Sequence, residues 1–346
     1  MLVMRFDARI WSKSLIVVGL VWGVCGAGAR AAGPRLKIIT VGAVGADYTT
    51  IQAAVNAAPE AGAVIRIEPG VYREVVHVDK PGIQFRGETK EPRTVELVYG
   101  NSAASTCGTR CSATLFVTGR NFFASEMTIA NDYSKESDVP SQAVAVSVNG
   151  DRAVFRHVRL LGAQDTLYAS SVGCMKEGGT CVTSRQYFSD CYIEGHVDFI
   201  FGDAKAVFDH CVIHSIAHAA GGYLTAQSNT RPGQDAGYVF NHCTLTADPK
   251  AGDVYLGRPW RAYSTVIFLN TKMETPIMPA GWSDWKSAPV PRLPTATYAE
   301  FHSTGPGANA AVRESDTKQL TAAEARKYEP RVYLRGSDGW DATEVK

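Results

Sequence analysis

Phe155-Arg156-His157-Val158-Arg159-Leu160 and Phe188-Ser189-Asp190-Cys191-Tyr192-Ile193 are two copies of one pattern, Phe-x-polar-(Cys, Val or Thr)-x-apolar. Further copies begin at Phe208, Phe240 and Phe268, with a degenerate one at Ala124, so the spacings run 31, 33, 20, 32 and 28 residues. A short strand-like unit recurring at such intervals suits the coils of a solenoid that carries loops of variable length. Units of this kind stack in parallel, each strand about 4.8 Å from the next. The segments between them lack the sustained helical period of a doubly wound α/β protein. A β-sandwich would need repeated short Asn-Gly or Asp-Gly hairpin turns, and only isolated dipeptides such as Asn149-Gly150 supply them. The pattern therefore predicts an all-β chain wound as a right-handed, single-stranded parallel β-helix.

Outward from the repeat, Leu36 to Thr40 and the runs Val64-Ile65-Arg66-Ile67-Glu68, Val75-Val76-His77-Val78 and Ile83-Gln84-Phe85-Arg86-Gly87 read as earlier strands. Ile51 to Ala58, stopped by Pro59, reads as a short amphipathic helix suited to capping one end of the core. After a proline-rich stretch from Pro276 to Pro294, Leu320 to Tyr328 reads as a second short helix that packs along the solenoid. No second domain is indicated.

At the N-terminus, Arg5, Arg9 and Lys13 precede an apolar run from Leu15 to Cys25, followed by small residues. This is the pattern of a secretory signal peptide over residues 1–32, with one β-helix domain over 33–346. The apolar run is short of the ~20 residues needed to span a bilayer. Losing residues 1–32 removes four basic side chains and one acidic, which takes the formal charge from +1 to −2. That balance argues against nucleic acid or an anionic membrane as partner. An exported chain is expected to form disulfides. Cys107 and Cys111 bracket a short loop, and Cys174 and Cys181 a Gly-rich one. Cys191, Cys211 and Cys243 share one repeat position, and the shorter loop favours a Cys191–Cys211 bridge over Cys211–Cys243. His157, His210 and His242 share another position with Asp190 and Asn270. A polar ladder at strand ends is expected there, since no Cys or acidic ligands converge to hold a metal.

The repeat also links two aspartates. Asp165, in Gly162-Ala163-Gln164-Asp165-Thr166-Leu167-Tyr168, lies ten residues after Phe155, and Asp198, in Asp198-Phe199-Ile200-Phe201-Gly202, lies ten after Phe188. On successive coils they would stack. Two carboxyls that close, among apolar and aromatic neighbours, do not both ionise easily, which can supply a nucleophile or base beside an acid. Either Asp alone is more simply read as a turn cap; the matching offsets point to a site. Leu256-Gly257-Arg258-Pro259-Trp260 adds a guanidinium fitted to carboxylates and an indole fitted to a sugar face. Gln142 and Gln164 offer neutral amide donors for an oxyanion.

Together with Gly70-Val71-Tyr72-Arg73-Glu74 and Gln142-Ala143-Val144, these stretches resemble the five signature blocks of the pectin methylesterases, in family order across roughly residues 36 to 300. The resemblance implies the pectin-lyase-like parallel β-helix and hydrolysis of the C6 methyl esters of homogalacturonan (pectin) by a monomer, without metal or other cofactor. It implies that Asp198 attacks the ester, that Asp165 is the acid and then the base, and that Gln142 and Gln164 hold the oxyanion. Arg258 would keep Asp198 ionised or bind a galacturonate carboxylate; Trp260, Tyr168, Val197 and Phe201 would line the sugar subsites. Residue spacing alone leaves the two aspartates interchangeable. His196 stands where many members carry Thr, and the 169–185 loop is longer than in plant members. The short lead into the first strand resembles bacterial enzymes more than plant precursors.

Three other readings compete. One is a pectin-cleaving β-helix, a lyase or a galacturonan hydrolase; a lyase would need Ca²⁺ and a cluster of acidic ligands, which is not evident. A β-helical acyl thioesterase would keep the aspartates without sugar specificity, and a non-catalytic pectin-binding solenoid would bind without turnover.

Overall fold

A computed structural model describes residues 36–174 and 180–345. The predicted signal peptide lies outside the described residues. The chain from Leu36 onward forms one compact unit built almost wholly of parallel strands.

The strands fall into three columns. The first climbs from Lys37–Val41 through Ala63–Ile67, Ile83–Gly87 and the successive repeat units to Thr297–Phe301 and Lys318–Gln319. In it Phe155, Phe188, Phe208, Phe240 and Phe268 pair in register, and Ala124 pairs with Phe155, as the repeat predicts. The second column carries the apolar end of each repeat, for example Tyr192–Gly195 beside Val212–Ser215. The third is a six-stranded sheet running from Val76–Val78 to Thr225–Gln227.

The core is a column of stacked identical positions. Consecutive rings from Phe155 to Phe268 lie 4.9, 4.8, 4.6 and 4.6 Å apart, nearly parallel and fully buried. Each ring contributes about 1.5–3 kcal/mol by burial alone. Where the degenerate repeat has Ala124, Phe122 fills the gap, 5.2 Å from Phe85 and 5.5 Å from Phe155.

Between the first two columns the chain turns sharply at one residue per coil. Glu126, His157, Asp190, His210, His242, Asn270 and His302 all have φ between 50° and 56°. Short polar side chains tolerate this left-handed conformation better than β-branched ones, which is the physical basis of the predicted polar ladder.

The predicted bridge among the interior cysteines does not form. Cys107–Cys111 and Cys174–Cys181 are disulfides, while Cys191, Cys211 and Cys243 are buried free thiols. Side chains stacked in parallel register keep their Cβ atoms about 4.8 Å apart, outside the 3.5–4.5 Å a disulfide takes. Each sulfur instead donates to a main-chain oxygen of the coil before it: Phe155, Phe188 and Phe208 respectively, at 3.5, 3.4 and 3.2 Å.

The predicted N-terminal helix spans Ile51–Ala57. Thr50 caps it, and Glu74, from the Gly70–Glu74 block, accepts from the Ile51 and Gln52 amides at 2.7 and 3.0 Å. The C-terminal helix is shorter than predicted, Ala322–Ala325, opened by a Thr321/Glu324 capping box. Its Ala325, with Leu334 and Ala342, covers the outer face of the first column over Val154, Tyr187, Val207, Val239 and Ile267.

Candidate active site

The third column pairs Leu167 with Ile200 and Tyr168 with Phe201, so Asp165 and Asp198 occupy equivalent places on adjacent coils. The Asp165 amide donates to the Val197 carbonyl at 3.1 Å. Both aspartates have left-handed backbone, φ 65° and 52°, so each coil turns into the third column at its carboxylate. The turn is tight: a Cβ on Gly195 would collide with Phe199 and the Ala163 carbonyl.

The two carboxyls are 8% and 7% exposed and differently partnered. Arg258 donates from Nε and Nη2 to the two oxygens of Asp198 at 2.8 and 2.7 Å, a bidentate fork. Burial raises Asp198 above the ordinary carboxylate range, and the Arg258 fork opposes it. Asp165 has no such partner among the described residues. Burial first, then the charge of Asp198, pushes it well above the usual range, with the more distant Arg258 opposing. Two acids that are equivalent in the repeat are thus made unequal: Asp165 is pushed further up than Asp198, which the Arg258 fork holds back.

Gln142 and Gln164 lie on neighbouring coils of the same column. Their carbonyls accept from Ala103 at 2.8 Å and Ala143 at 3.1 Å, and neither side-chain amide is taken up by another described residue. Tyr168 and Phe201 stack at 4.7 Å, and Trp260 lies 6.0 Å from Phe201. These rings join Val144, Ala113 and Ala226 in a small apolar cluster on the outer face of the sheet, separate from the core, with Phe116 and Trp285 at its margin. The arrangement is a shallow aromatic floor beside two carboxyls. Val197 is half-buried next to Asp198, its amide donating to His196 Nδ1 at 2.8 Å. His196 stacks on His218 at 4.3 Å, and burial followed by His218 pushes its ring down to about 4.

Every residue assigned to the site from sequence thus lies on the third column or the coils that continue it. Sequence reasoning missed three others. Tyr223 and Trp285 cover the Arg258 guanidinium, whose carbon lies 4.0 and 4.3 Å from the two ring centroids. Finding them needs the register across loops of unequal length, which no local motif carries. The third, Asp203, is fully buried behind the strand and accepts from the Ser171 amide at 2.8 Å; burial pushes it up to about 6. Its place immediately after Gly202 was the available signal. The 169–185 loop is held by a Val172–Val182 bridge and its disulfide, and Thr230 donates to the Cys174 carbonyl at 3.0 Å. Among the described residues no His, Cys, Asp or Glu cluster is arranged to hold a metal ion.

A family model described as "Pectinesterase" matches residues 38–337. Similar proteins include Pectinesterase 31 of Arabidopsis thaliana, 35% identical over 81% of this chain and 86% of its own length. Pectinesterase QRT1 of the same plant is 33% identical over 96% and 87%. Among solved structures, the chain is similar to the pectin methylesterase from carrot, with TM-score 0.79 and 31% identity over 91% of this chain and 98% of that one. It is also similar to the pectin methylesterase PemA from Erwinia chrysanthemi, with TM-score 0.74 and 27% identity over 90% and 99%. A pectin methylesterase solved in complex with a hexasaccharide matches at TM-score 0.73 and 28% identity, over 90% and 99%.

Proposed function

Because the chain belongs to the pectinesterase family, we infer that it hydrolyses the methyl esters of homogalacturonan, with Asp198 as nucleophile and Asp165 as acid and then base. The Asp198 carboxylate attacks the C6 carbonyl carbon, and the electron pair moves onto the carbonyl oxygen. The amides of Gln142 and Gln164 donate to that oxyanion. The tetrahedral intermediate collapses with loss of the methoxy group, which takes the Asp165 proton and leaves as methanol. What remains is an anhydride between Asp198 and the galacturonosyl carbon, beside an ionised Asp165. Asp165 then removes a proton from water as the oxygen attacks, releasing the acid product and Asp198. Asp165 is reprotonated by that same transfer, and the acid product ionises into solvent. No step calls for a metal. Tyr168, Phe201, Trp260 and Val197 form the surface on which the sugar rings lie, the rings offering their faces to the sugar C–H edges.

The observation that carries this division of roles is the Arg258 fork on Asp198, with no equivalent on Asp165 among the described residues. Arg258 is spent on Asp198, which favours that role over binding a galacturonate carboxylate.

We further assign residues 1–32 to a secretory signal and 33–346 to one catalytic domain, working outside the cytoplasm, either extracellular or periplasmic. Two disulfides suit that setting. Methanol release from highly methylated pectin, with chain length unchanged, is the expected result; new chain ends would instead indicate a lyase or glycosidase. Asp198→Ala is expected to stop methanol release while leaving pectin binding intact.

A further inference from the structure

We propose that Tyr223 and Trp285 are positioning residues that hold Arg258 by its ring-covered faces and so set the aim and ionisation of Asp198. The proposal rests on the role assigned to Asp198 above. Tyr223 lies one coil beyond Asp198: Ile200 pairs with Thr225, and the Tyr223 amide donates to the His196 carbonyl at 3.0 Å. Trp285 comes from the proline-rich segment, where Trp282 bridges to Gly257 and the Ser283 amide donates to the Gly257 carbonyl at 3.1 Å. Both rings therefore arrive from coils that register directly on the Asp198 and Arg258 coils. Tyr223 itself stacks on Tyr255 at 5.4 Å, which fixes its ring over the guanidinium from the neighbouring coil.

A guanidinium attracts π faces along its normal and hydrogen-bonds only in its plane. Rings over the faces thus leave the edge to the carboxylate. The fork needs the guanidinium and carboxylate close to coplanar, and an arginine side chain otherwise has wide rotamer freedom. Without the ring contact Arg258 can tilt. Asp198 then keeps its burial but loses its best counter-charge, so it takes up a proton at higher pH and cannot attack. The Tyr223 hydroxyl has no hydrogen bond to a described residue, so the ring rather than the hydroxyl is what this role requires.

The groups facing Asp198 are Asp165 on the coil before, Arg258 and Tyr223 on the coils after, and Tyr298 from the interior. His196, two residues before it, stacks on His218, and Asp284 accepts from the Trp285 amide at 2.7 Å. Of these, only Arg258 loses a partner when Tyr223 or Trp285 is cut back.

The test is the pH profile of methanol release. Tyr223→Ala is expected to lower kcat by about 10- to 100-fold, a loss in the range of one transition-state donor. KM should stay within about twofold, and the acid limb of kcat/KM should move up by about half to one pH unit. Tyr223→Phe should restore both. A raised KM with kcat and acid limb unchanged would make the ring a substrate surface and overturn the proposal, as would no change at all. If Tyr223→Ala does not fold, Trp285→Leu carries the same test through the acid limb alone: an upward move supports the clamp and a fixed limb overturns it. Failure of the underlying mechanism reads differently, as turnover surviving Asp198→Asn.

Discussion

Asp190 and Asp198 sit on the same coil, and both take the left-handed backbone, with φ 55° and 52°. Asp190 turns the chain from the first column into the second and faces solvent. Asp198 turns it into the third and is 7% exposed, with an arginine fork on its carboxylate. The backbone asks for the same thing at both corners: a short polar residue that tolerates positive φ. Chemistry arises only where later coils cover the corner. At Asp198 those coils bring Arg258, Tyr223 and Trp285; the neighbouring coil brings Asp165. An aspartate at a coil corner is thus a routine solution to a turn, and its surroundings turn one of them into a reagent.

The comparison is broken most directly by making the same change at both corners. Asp198→Asn keeps size and turn preference but removes the nucleophile, and is expected to lower kcat by roughly a thousandfold or more. Asp190→Asn should leave kcat within about twofold. Equal losses at both positions would show that the corner geometry, not the surroundings of Asp198, carries the activity. Arg258→Lys probes the next layer. A lysine supplies charge without the planar fork, so turnover should fall about 10- to 100-fold. The acid limb should move upward, since Asp198 then protonates at higher pH. An acid limb that moves down or stays fixed would remove Arg258 from the ionisation of Asp198.

Much of this is legible in the sequence. The Phe-x-polar repeat predicted the stacked core because identical positions on a coil repeat the same environment, and the equal offsets to Asp165 and Asp198 predicted their stacking. The cysteines went wrong for a physical reason: shared register fixes the distance between strands but also keeps side chains parallel, which a disulfide cannot use. Arg258 was visible as a candidate and the rings that cover it were not. Tyr223 follows Gly221-Gly222 in a coil longer than its neighbour, and Trp285 lies in a proline-rich stretch with no repeat. Their convergence depends on how loops are absorbed, which periodicity does not report.

A buried acid held for catalysis should cost stability, and Asp165 offers the measurement. Its folded pKa is raised, so the protonated form is favoured in the fold. Its contribution is fully present below the unfolded value of about 4 and is lost as pH rises through the folded one. Asp165→Asn removes the titration. It should therefore stabilise the protein near neutral pH, with little gain at pH 3, while removing the proton donor. Thermal denaturation of both proteins from pH 3 to 8 checks this. A gain that shrinks with rising pH would reverse the assignment of Asp165 as the buried acid.

The smallest effect belongs to the exposed corner. If Asp190 serves only the turn, its substitutions should follow backbone preference and nothing else. Asp190→Asn and Asp190→Gly both accept φ 55° and should change stability by no more than about 0.5 kcal/mol. Asp190→Val places a β-branched side chain in the same conformation, costing about 1–2 kcal/mol, with kcat and KM unchanged. Chemical denaturation reads the first quantity and methanol release the second. A Val variant as stable as the parent would mean that the corner relaxes out of the left-handed region, removing the backbone reason for aspartate at either corner. A Val variant that also lost kcat would show that strain at one corner reaches the other through the seven residues between them. The two aspartates would then be coupled parts of one turn system. The exposed side chain of Asp190 and the separate partners of Asp198 predict that they are not.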